Sequence, residues 1–548
     1  MAGASAGREP GSYDDDGYDA VIAAIDRADE RPAPPDDALL ARELLNDTGN
    51  ARRLIARHGL DLANVEEWGW GAWDGQRWRF DDGDARAVIK AHETAEAIFD
   101  EAAALPAFDD PEPDKPASPR KTATGEDLAK WQAWEAWDKR RKRHWATVAD
   151  VKDFALASGN RGRAESMLAS AAPYLRRRHD EFDTEPWALN VANGTLRMDT
   201  DRIALYPPQR SDRATKCATV AYDPEASCPK WQQFISEIFP EQVDVQVMVQ
   251  RWLGYCLTGS IAEQRCVIFE GQGSNGKSVM MNVVAQLLGD YATTTPVETF
   301  LHNDRKSGSG PSPDIARLAG ARLVRTSEPE PGSRLSESTL KQFTGGEQMV
   351  ARKLHKDFFE FKPRAKLTMS VNVRPVIVGK DHGIKRRILV VPFARIFSKE
   401  EIAAADAARG RGLEEDLLTE GPGILNWMLD GFRLWREDGL AVPASVVSAT
   451  EGYFAEMDPI GQFVREACMV PADGLDVTLE DREKSAELYA AYKRWCDANN
   501  EEPKNNTAFG RRLNDLGIKS SKIGGIGYRG GVMLREEWQP IAPPERND

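Results

Sequence analysis

One segment restricts the fold of this chain more than any other, residues Arg265 to Asp290, which read RCVIFEGQGSNGKSVMMNVVAQLLGD. Cys266 to Phe269 is a short apolar run of the kind that forms a parallel strand buried on both faces. Gly271 to Ser278 then satisfies GxxxxGK[ST], and Met280, Val283, Val284, Leu287 and Leu288 follow at helical spacing. Gly289 comes straight after the last apolar pair, as a glycine that stops the helix. The order of strand, glycine-rich loop and helix has a physical reason. Gly271, Gly273 and Gly276, with Ser274 and Asn275 between them, let backbone N–H groups converge on phosphate oxygens, while the helix N-terminus adds partial positive charge. Lys277 reaches the β- and γ-phosphates, and the Ser278 hydroxyl joins a Mg2+ shell. The expectation is an α/β fold with ATP and Mg2+ as ligands.

Hydrolysis needs a carboxylate at the end of a neighbouring strand. Ala321 to Thr326 reads as that strand, and Glu328 and Glu330 stand at its end. One would polarise the attacking water and the other would support the Mg2+ shell, for which Ser278 and Glu328 are the candidate metal oxygens. Spacing does not assign the two tasks. Lys366 to Val371 alternates as a strand ending at Asn372, whose amide can hold the lytic water or sense the γ-phosphate. Met349 to Phe361 reads as a β-hairpin with Lys356-Asp357 at its turn, which puts Lys353, His355 and Lys356 at the tip. Arg386 and Arg387 precede another buried strand, a placement suited to stabilising phosphoryl-transfer charge.

This ordered set resembles the superfamily 3 helicase domain, an AAA+ ATPase variant, of the phage/plasmid primase–helicase family. The likeness covers roughly residues 186–397, including LNVANGTL, the Cys228-Pro-Lys-Trp231 region, LLGDYA, TGGE and VNVRP. By that resemblance the Walker A motif falls on Gly271 to Ser278, Walker B on Glu328/Glu330, the B′ hairpin on about Thr344 to Lys356, the sensor on Asn372, and the arginine finger on Arg386 or Arg387. It implies a homo-hexameric ring with ATP at the subunit interfaces and pore hairpins pulling single-stranded or forked DNA, usually 3′ to 5′. The implied architecture is an AAA+ core with an N-terminal helical domain and a C-terminal winged helix. On the latter, Arg511 and Arg512 of the second helix, and Lys522, Tyr528 and Arg529 of the wing, are the candidate phosphate contacts. Primases of the family carry an upstream domain with paired acidic residues on a strand. Here about 110 residues precede the helical region, and the acidic cluster Asp14 to Asp16 has no β pattern. Primer synthesis is therefore expected from a separate primase or polymerase. Two other readings keep the P-loop: a different DNA-motor task, or a replication-initiation module in which ATP only locks the oligomer.

The net charge of −15 taken alone argues against DNA, but the first 40 residues hold ten acidic and three basic residues, about half of that excess. Basic residues cluster elsewhere, at Lys139 to Arg143, at Arg176 to Arg178 and at Arg386–Arg387, and a DNA site needs local potential only. The longest apolar run, Ile388 to Ala394, is too short for a bilayer, and the N-terminus lacks a signal-peptide pattern. Six scattered cysteines fit reduced thiols. The expected setting is the cytoplasm of a bacterial host cell, without membrane partners. The expected organisation is an acidic tail over 1–40 and a small α/β region over 41–110, whose Asp74-Gly75 turn joins tryptophan-rich strands. A linker (PAFDDPEPDKPASPR) leads into a mostly helical collar over 111–262. The ATPase follows over 263–400, a helical lid or linker over 401–455, and the winged-helix-like region over 456–548.

Overall fold

The computed structural model describes residues 35–199, 202–302, 312–352, 358–377, 382–471, 478 and 480–539. Asp14 to Asp16 and the hairpin-tip residues Lys353, His355 and Lys356 lie outside the described residues.

At the centre is a five-stranded parallel sheet, formed by β1 (Cys266–Glu270), β2 (Ala292–Thr295), β3 (Leu323–Thr326), β4 (Lys366–Val371) and β5 (Ile388–Pro392). Their spatial order is β5-β1-β4-β3-β2. The strand that carries the phosphate loop is thus inside the sheet, and β4 separates it from β3 with its two glutamates. Strand side chains alternate between faces, and here both faces are covered. Val267, Phe269, Leu323, Leu389 and Val391 enter one apolar core. Cys266, Ile268, Val324, Leu367, Met369 and Val390 enter another. This two-sided burial is why the strands read as unbroken apolar runs.

The first core is closed by α1 (Lys277–Leu288), which buries Met280, Val283, Val284, Leu287 and Leu288 as its spacing requires. Two further helices, Val243–Tyr255 and Gly421–Asp438, pack against each other and share that core. Their contact is intimate because both present glycine: a Cβ on Gly431 would lie 2.1 Å from the Gln250 carbonyl, and one on Gly254 would lie 2.2 Å from the Phe432 nitrogen. The boundaries expected at 262/263 and 400/401 therefore run between elements that share one apolar interior. Two buried cations fasten the same region. The Arg322 guanidinium donates to the Leu257 and Ala188 carbonyls and lies 4.4 Å over Tyr291. The Lys366 ammonium donates to the carbonyls of Thr258, Ser260 and Arg364 and lies 4.6 Å over Tyr255.

The N-terminal region also departs from the expected division at 110. Leu62–Val65, Gly69–Trp73 and Trp78–Arg79 form the hairpin-containing sheet, with Asp74-Gly75 at the turn. The strand completing it is Arg176–Arg177, paired parallel to Leu62–Val65. Helix Gly83–Ala104 packs on helix Gly125–Ser158, and helix Asp47–His58 packs on Arg161–Ala171. Ala51, Leu54, Ala87, Ala91, Met167 and Leu168 share one core, so apolar pairing across the expected boundary overrides the composition shift that suggested it. Trp68, Trp73 and Trp78 cluster with Phe80 and Phe182 as core. The 111–262 stretch is less helical than expected, since Ala188–Val191, Gly194–Met198 and Ile203–Tyr206 form an antiparallel sheet. At the C-terminal end, helices Ser485–Ala498 and Asn506–Asp515 share a core with Pro459–Ala467. Beside them, Arg482–Lys484, Ile526–Gly530 and Ser520–Ile523 make a three-stranded antiparallel sheet.

Candidate functional site at the phosphate loop

The loop leaves β1 at Glu270 and enters α1 at Lys277. It demands left-handed backbone at Gly273 (φ 96°), Ser274 (φ 48°) and Gly276 (φ 82°), conformations that L-residues other than glycine adopt at a cost. Two positions are closed to any side chain. A Cβ on Gly271 would sit 2.1 Å from Asn275 Nδ2 and 2.7 Å from the Phe393 carbonyl, and one on Gly276 would sit 2.5 Å from Ile238. The loop is held from outside by Phe397, whose N–H donates to the Ser274 carbonyl at 2.8 Å.

Lys277, 3% exposed, points back under the loop. Its ammonium donates to the Gly271 carbonyl at 2.7 Å, to Asn275 Oδ1 at 3.1 Å and to Asn372 Oδ1 at 3.3 Å. Burial lowers its pKa from the ordinary lysine value, and the nearby carboxylates of Glu328 and Glu270 oppose that shift. The other end of the Asn372 amide donates from Nδ2 to Glu328 Oε2 at 2.9 Å. Lysine, amide and carboxylate thus form one chain across β1, β4 and β3. The structure brings together Lys277, Asn275, Asn372 and Glu328, with Ser278 exposed on the first turn of α1. Glu330 stands outside this chain: its backbone carbonyl closes a turn with Ser333 N–H, and its side chain is exposed. Where spacing left the two glutamates equal, geometry gives the phosphate loop to Glu328. Ser278 and Glu328 are both exposed, so their oxygens are accessible to a cation at the loop. Among the described residues no three His, Cys, Asp or Glu side chains converge to hold a metal by themselves.

One pair was not foreseen. Arg374, two residues after Asn372, donates to both carboxylate oxygens of Glu270 and also to Glu456. These contacts raise its pKa, the Glu270 hydrogen bond most. The last residue of β1 is thereby tied to the loop after β4. Tyr453, on the helix that carries Glu456, donates to the Pro375 carbonyl in the same loop. The available signal was the arginine in VNVRP, at the end of a strand beside the P-loop strand.

Arg386 and Arg387 lie at the opposite end of the sheet. Ile388 is in register with Cys266 and Pro392 with Glu270, so both arginines precede the end of β1 that is remote from the loop. A strand of five residues puts roughly 16 Å between them and the loop. Arg386 donates to Gln264 at 2.8 Å, and Arg387 to Thr344 at 3.1 Å and to the Gly383 carbonyl at 2.7 Å. Neither reaches the phosphate loop of its own chain. The hairpin strands are formed as expected, with Met349–Arg352 antiparallel to Phe358–Phe361.

Two of the C-terminal candidates are corrected. Arg512 is committed to Asp458, with Nε and Nη2 at 2.8 and 2.6 Å from Oδ2. Arg529 is buried and bonded to Asn514 Oδ1 at 2.6 Å and to the Ile518 carbonyl. Each satisfies a buried acceptor that sequence spacing does not reveal. Arg511 and Lys522 remain exposed.

Three family models match the chain: D5 N terminal like over residues 51–240, a family of unknown function (DUF5906) over 269–387, and Poxvirus D5 protein-like over 455–521. A protein of Acanthamoeba polyphaga mimivirus, L207/L206, provisionally named a helicase, is 30% identical over 241 residues, covering 42% of this chain and 25% of that protein. C962R of African swine fever virus, provisionally named a primase, is 25% identical over 211 residues, or 38% of this chain and 22% of that one. The chain spans about a quarter of the length of these curated relatives. The apo C-terminal region of NrS-1 superposes with a TM-score of 0.36 at 12% identity, over 56% of this chain and 76% of that one. No helix among the described residues is long and apolar enough to cross a membrane.

Proposed function

We propose, on these partial matches, that the chain is a member of the primase–helicase family, an ATP-driven helicase of DNA replication that works as a homo-hexameric ring on single-stranded or forked DNA. The observation that carries this reading is the Lys277–Asn372–Glu328 chain at the mouth of the phosphate loop. It joins a phosphate-binding cation, an amide and a carboxylate across three strands, an arrangement that a site for nucleotide binding alone does not need.

In this reading the amides from Gly271 to Gly276 cradle the phosphates, and Lys277 turns from its carbonyl partners to the β- and γ-phosphates. Ser278 would hold Mg2+, which supplies charge neutralisation at the phosphates, while Glu328 is left to the attacking water. Asn372 fixes the Glu328 carboxylate, which polarises the attacking water and takes its proton. The strand order β5-β1-β4-β3-β2 supports an AAA+ assignment, because it puts the amide strand between the loop strand and the carboxylate strand. Arg386 or Arg387 serves the nucleotide of the neighbouring subunit, which is the one role as a finger open to residues at the far end of β5. Lys353, His355 and Lys356 grip DNA in the pore, and the C-terminal helices and sheet act as a winged helix through Arg511. The relatives belong to large DNA viruses, so the phage or plasmid system and the bacterial host stay part of the proposal, as do a separate primase or polymerase and 3′-to-5′ travel.

The test is ATP-dependent strand displacement by the purified chain on a forked duplex, with hydrolysis followed in parallel. Displacement together with DNA-stimulated hydrolysis is expected. Hydrolysis without displacement would favour another DNA-motor task, and nucleotide-locked oligomers without DNA-stimulated hydrolysis would favour an initiation module.

A further inference from the structure

The basic run Lys139 to Arg143 has no part in the ATPase site, yet the structure singles it out. It lies midway along the 34-residue helix Gly125–Ser158, roughly 50 Å long at 1.5 Å per residue. Of residues 125–150 in this helix, Trp137 and Asp138 alone are buried. Its apolar side is already covered by the chain's own segment 106–120, which the sequence suggested was a plain linker. Trp131 Nε1 donates to the Ser118 carbonyl at 2.9 Å, and Trp137 Nε1 donates to the Asp110 carbonyl at 2.8 Å. Trp134 Nε1 donates to Glu112 at 3.2 Å, beneath the Lys115 ammonium at 4.4 Å. Trp145, beyond the stretch this segment covers, stays 58% exposed on that side.

The nearby carboxylates are also taken. Asp110 holds Arg140 at 2.8 Å, and Asp138 holds both Arg141 and Lys142 at 2.7 Å. Glu135, one turn before Lys139, is engaged by Arg120 at 2.8 Å. Lys139 and Arg143 are left exposed, with no carboxylate partner among the described residues. Four residues apart, they share one face and lie ~6 Å apart along the helix axis. Exposed Ala136 and Ala146 stand on either side of them along that face, so nothing bulky keeps another surface away. The other basic runs are engaged within the fold, Arg176 with Glu66 and Arg178 with Asp180. The net charge of −15 does not cancel the ridge, since charges more than ~10 Å away are screened at 0.1 M salt.

We propose that Lys139 and Arg143 form a second DNA-binding site, which holds neighbouring phosphates of one strand of duplex DNA. A strand offers a charge every ~3.4 Å of duplex axis, a spacing that two cations one helical turn apart can meet. The ridge has no side chain placed to read bases, so the contact is to backbone and independent of sequence. This rests on DNA being the protein's partner, and the test separates the two ideas.

The experiment is the affinity of the full chain for a blunt, labelled duplex between 50 and 200 mM salt, for the wild type and for Lys139→Ala/Arg143→Ala. Each lost phosphate contact flattens the logarithmic salt slope by ~0.9, so the double variant should be shallower by about 1.8 and bind at least tenfold more weakly at 0.1 M salt. Arg140→Ala/Arg141→Ala, whose side chains are already paired, should change the slope by less than half as much. Hydrolysis without DNA should equal wild type in both variants. If the wild type binds and the double variant keeps its slope and affinity, the ridge serves another partner, such as an acidic protein surface, and the proposal is overturned while the helicase reading stands. If the wild type fails to bind DNA at every salt concentration, both fall together.

Discussion

Asn372→Ala removes one side chain and separates two functions that the structure links. The amide accepts from Lys277 at 3.3 Å and donates to Glu328 at 2.9 Å. Lys277 keeps two stronger partners, the Gly271 carbonyl and Asn275, so the loop should keep its shape and nucleotide affinity should change by less than about threefold. Glu328 loses the donor that orients it. A hydrogen bond to a charged group contributes about 1.5–3 kcal/mol, and 1.4 kcal/mol is a factor of ten. The turnover rate should therefore fall roughly ten- to hundredfold. Asn372 is exposed at the end of β4, so the melting temperature should move little. The assay is steady-state hydrolysis beside equilibrium binding of a fluorescent ATP analogue. A variant with wild-type turnover would refute the positioning role. Loss of analogue binding in proportion to turnover would show that Asn372 supports the loop and not the carboxylate.

Three further outcomes follow from the same geometry. Glu328→Gln should reduce turnover by two or more orders of magnitude, whereas Glu330→Gln, outside the Lys277–Asn372 chain, should stay within a few-fold of wild type; the reverse ranking in a hydrolysis assay would move the base to Glu330. Alanine at Arg386 or Arg387 should spare ATP binding and abolish hydrolysis in the finger variant, and mixing that variant with Lys277→Ala subunits should restore activity, because one supplies the loop and the other the arginine; mixed rings verified by mass that stay inactive exclude a finger in trans. Burial holds Lys366 down at about 7. Below that value the folded and unfolded chains are both charged and the burial penalty is complete, whereas between 7 and the ordinary lysine value the unfolded chain binds more protons, so the stability this group contributes rises with pH. The melting temperature of wild type relative to Lys366→Met should therefore increase from pH 7 to about pH 9.5, and a constant difference would show that Lys366 stays charged.

What the sequence disclosed was the part built from near neighbours. The loop from Gly271 to Ser278, the helix after it and the strands ending at Thr326 and Asn372 are local patterns of glycine, apolar period and strand length, and they lie where the sequence puts them. The strand order was not legible, because nothing in Leu323–Thr326 or Lys366–Val371 states which of them lies next to β1. With it was hidden the reach of the Asn372 amide to Glu328, which sets that carboxylate apart from Glu330. Long-range polar pairing was hidden for the same reason. Arg512 read as a free cation until Asp458, 54 residues earlier, took it, and Arg374 read as a family marker until Glu270 did. The linker 106–120 looked free because proline and acidic residues resemble a spacer, yet three tryptophans one helical turn apart give it a surface to lie on. The domain boundary at 110 failed through a strand of two residues, Arg176–Arg177, too short to register in any periodicity.

In the proposed function, nucleotide hydrolysis at the phosphate loop drives separation of DNA strands. The most direct measurement is ATP-dependent strand displacement on a forked duplex by wild type and by Lys277→Ala, with hydrolysis recorded in the same reaction. Lys277 lies outside the apolar clusters and bonds only to polar acceptors at the loop, so the variant should keep the overall fold, as a cooperative melting transition would verify. It should lose the charge stabilisation that the ammonium gives the transferring phosphoryl group, a cost on the order of several kcal/mol. Displacement and DNA-stimulated hydrolysis are expected of the wild type, and neither of the variant. Wild-type displacement by Lys277→Ala would mean that hydrolysis at this loop does not drive strand separation.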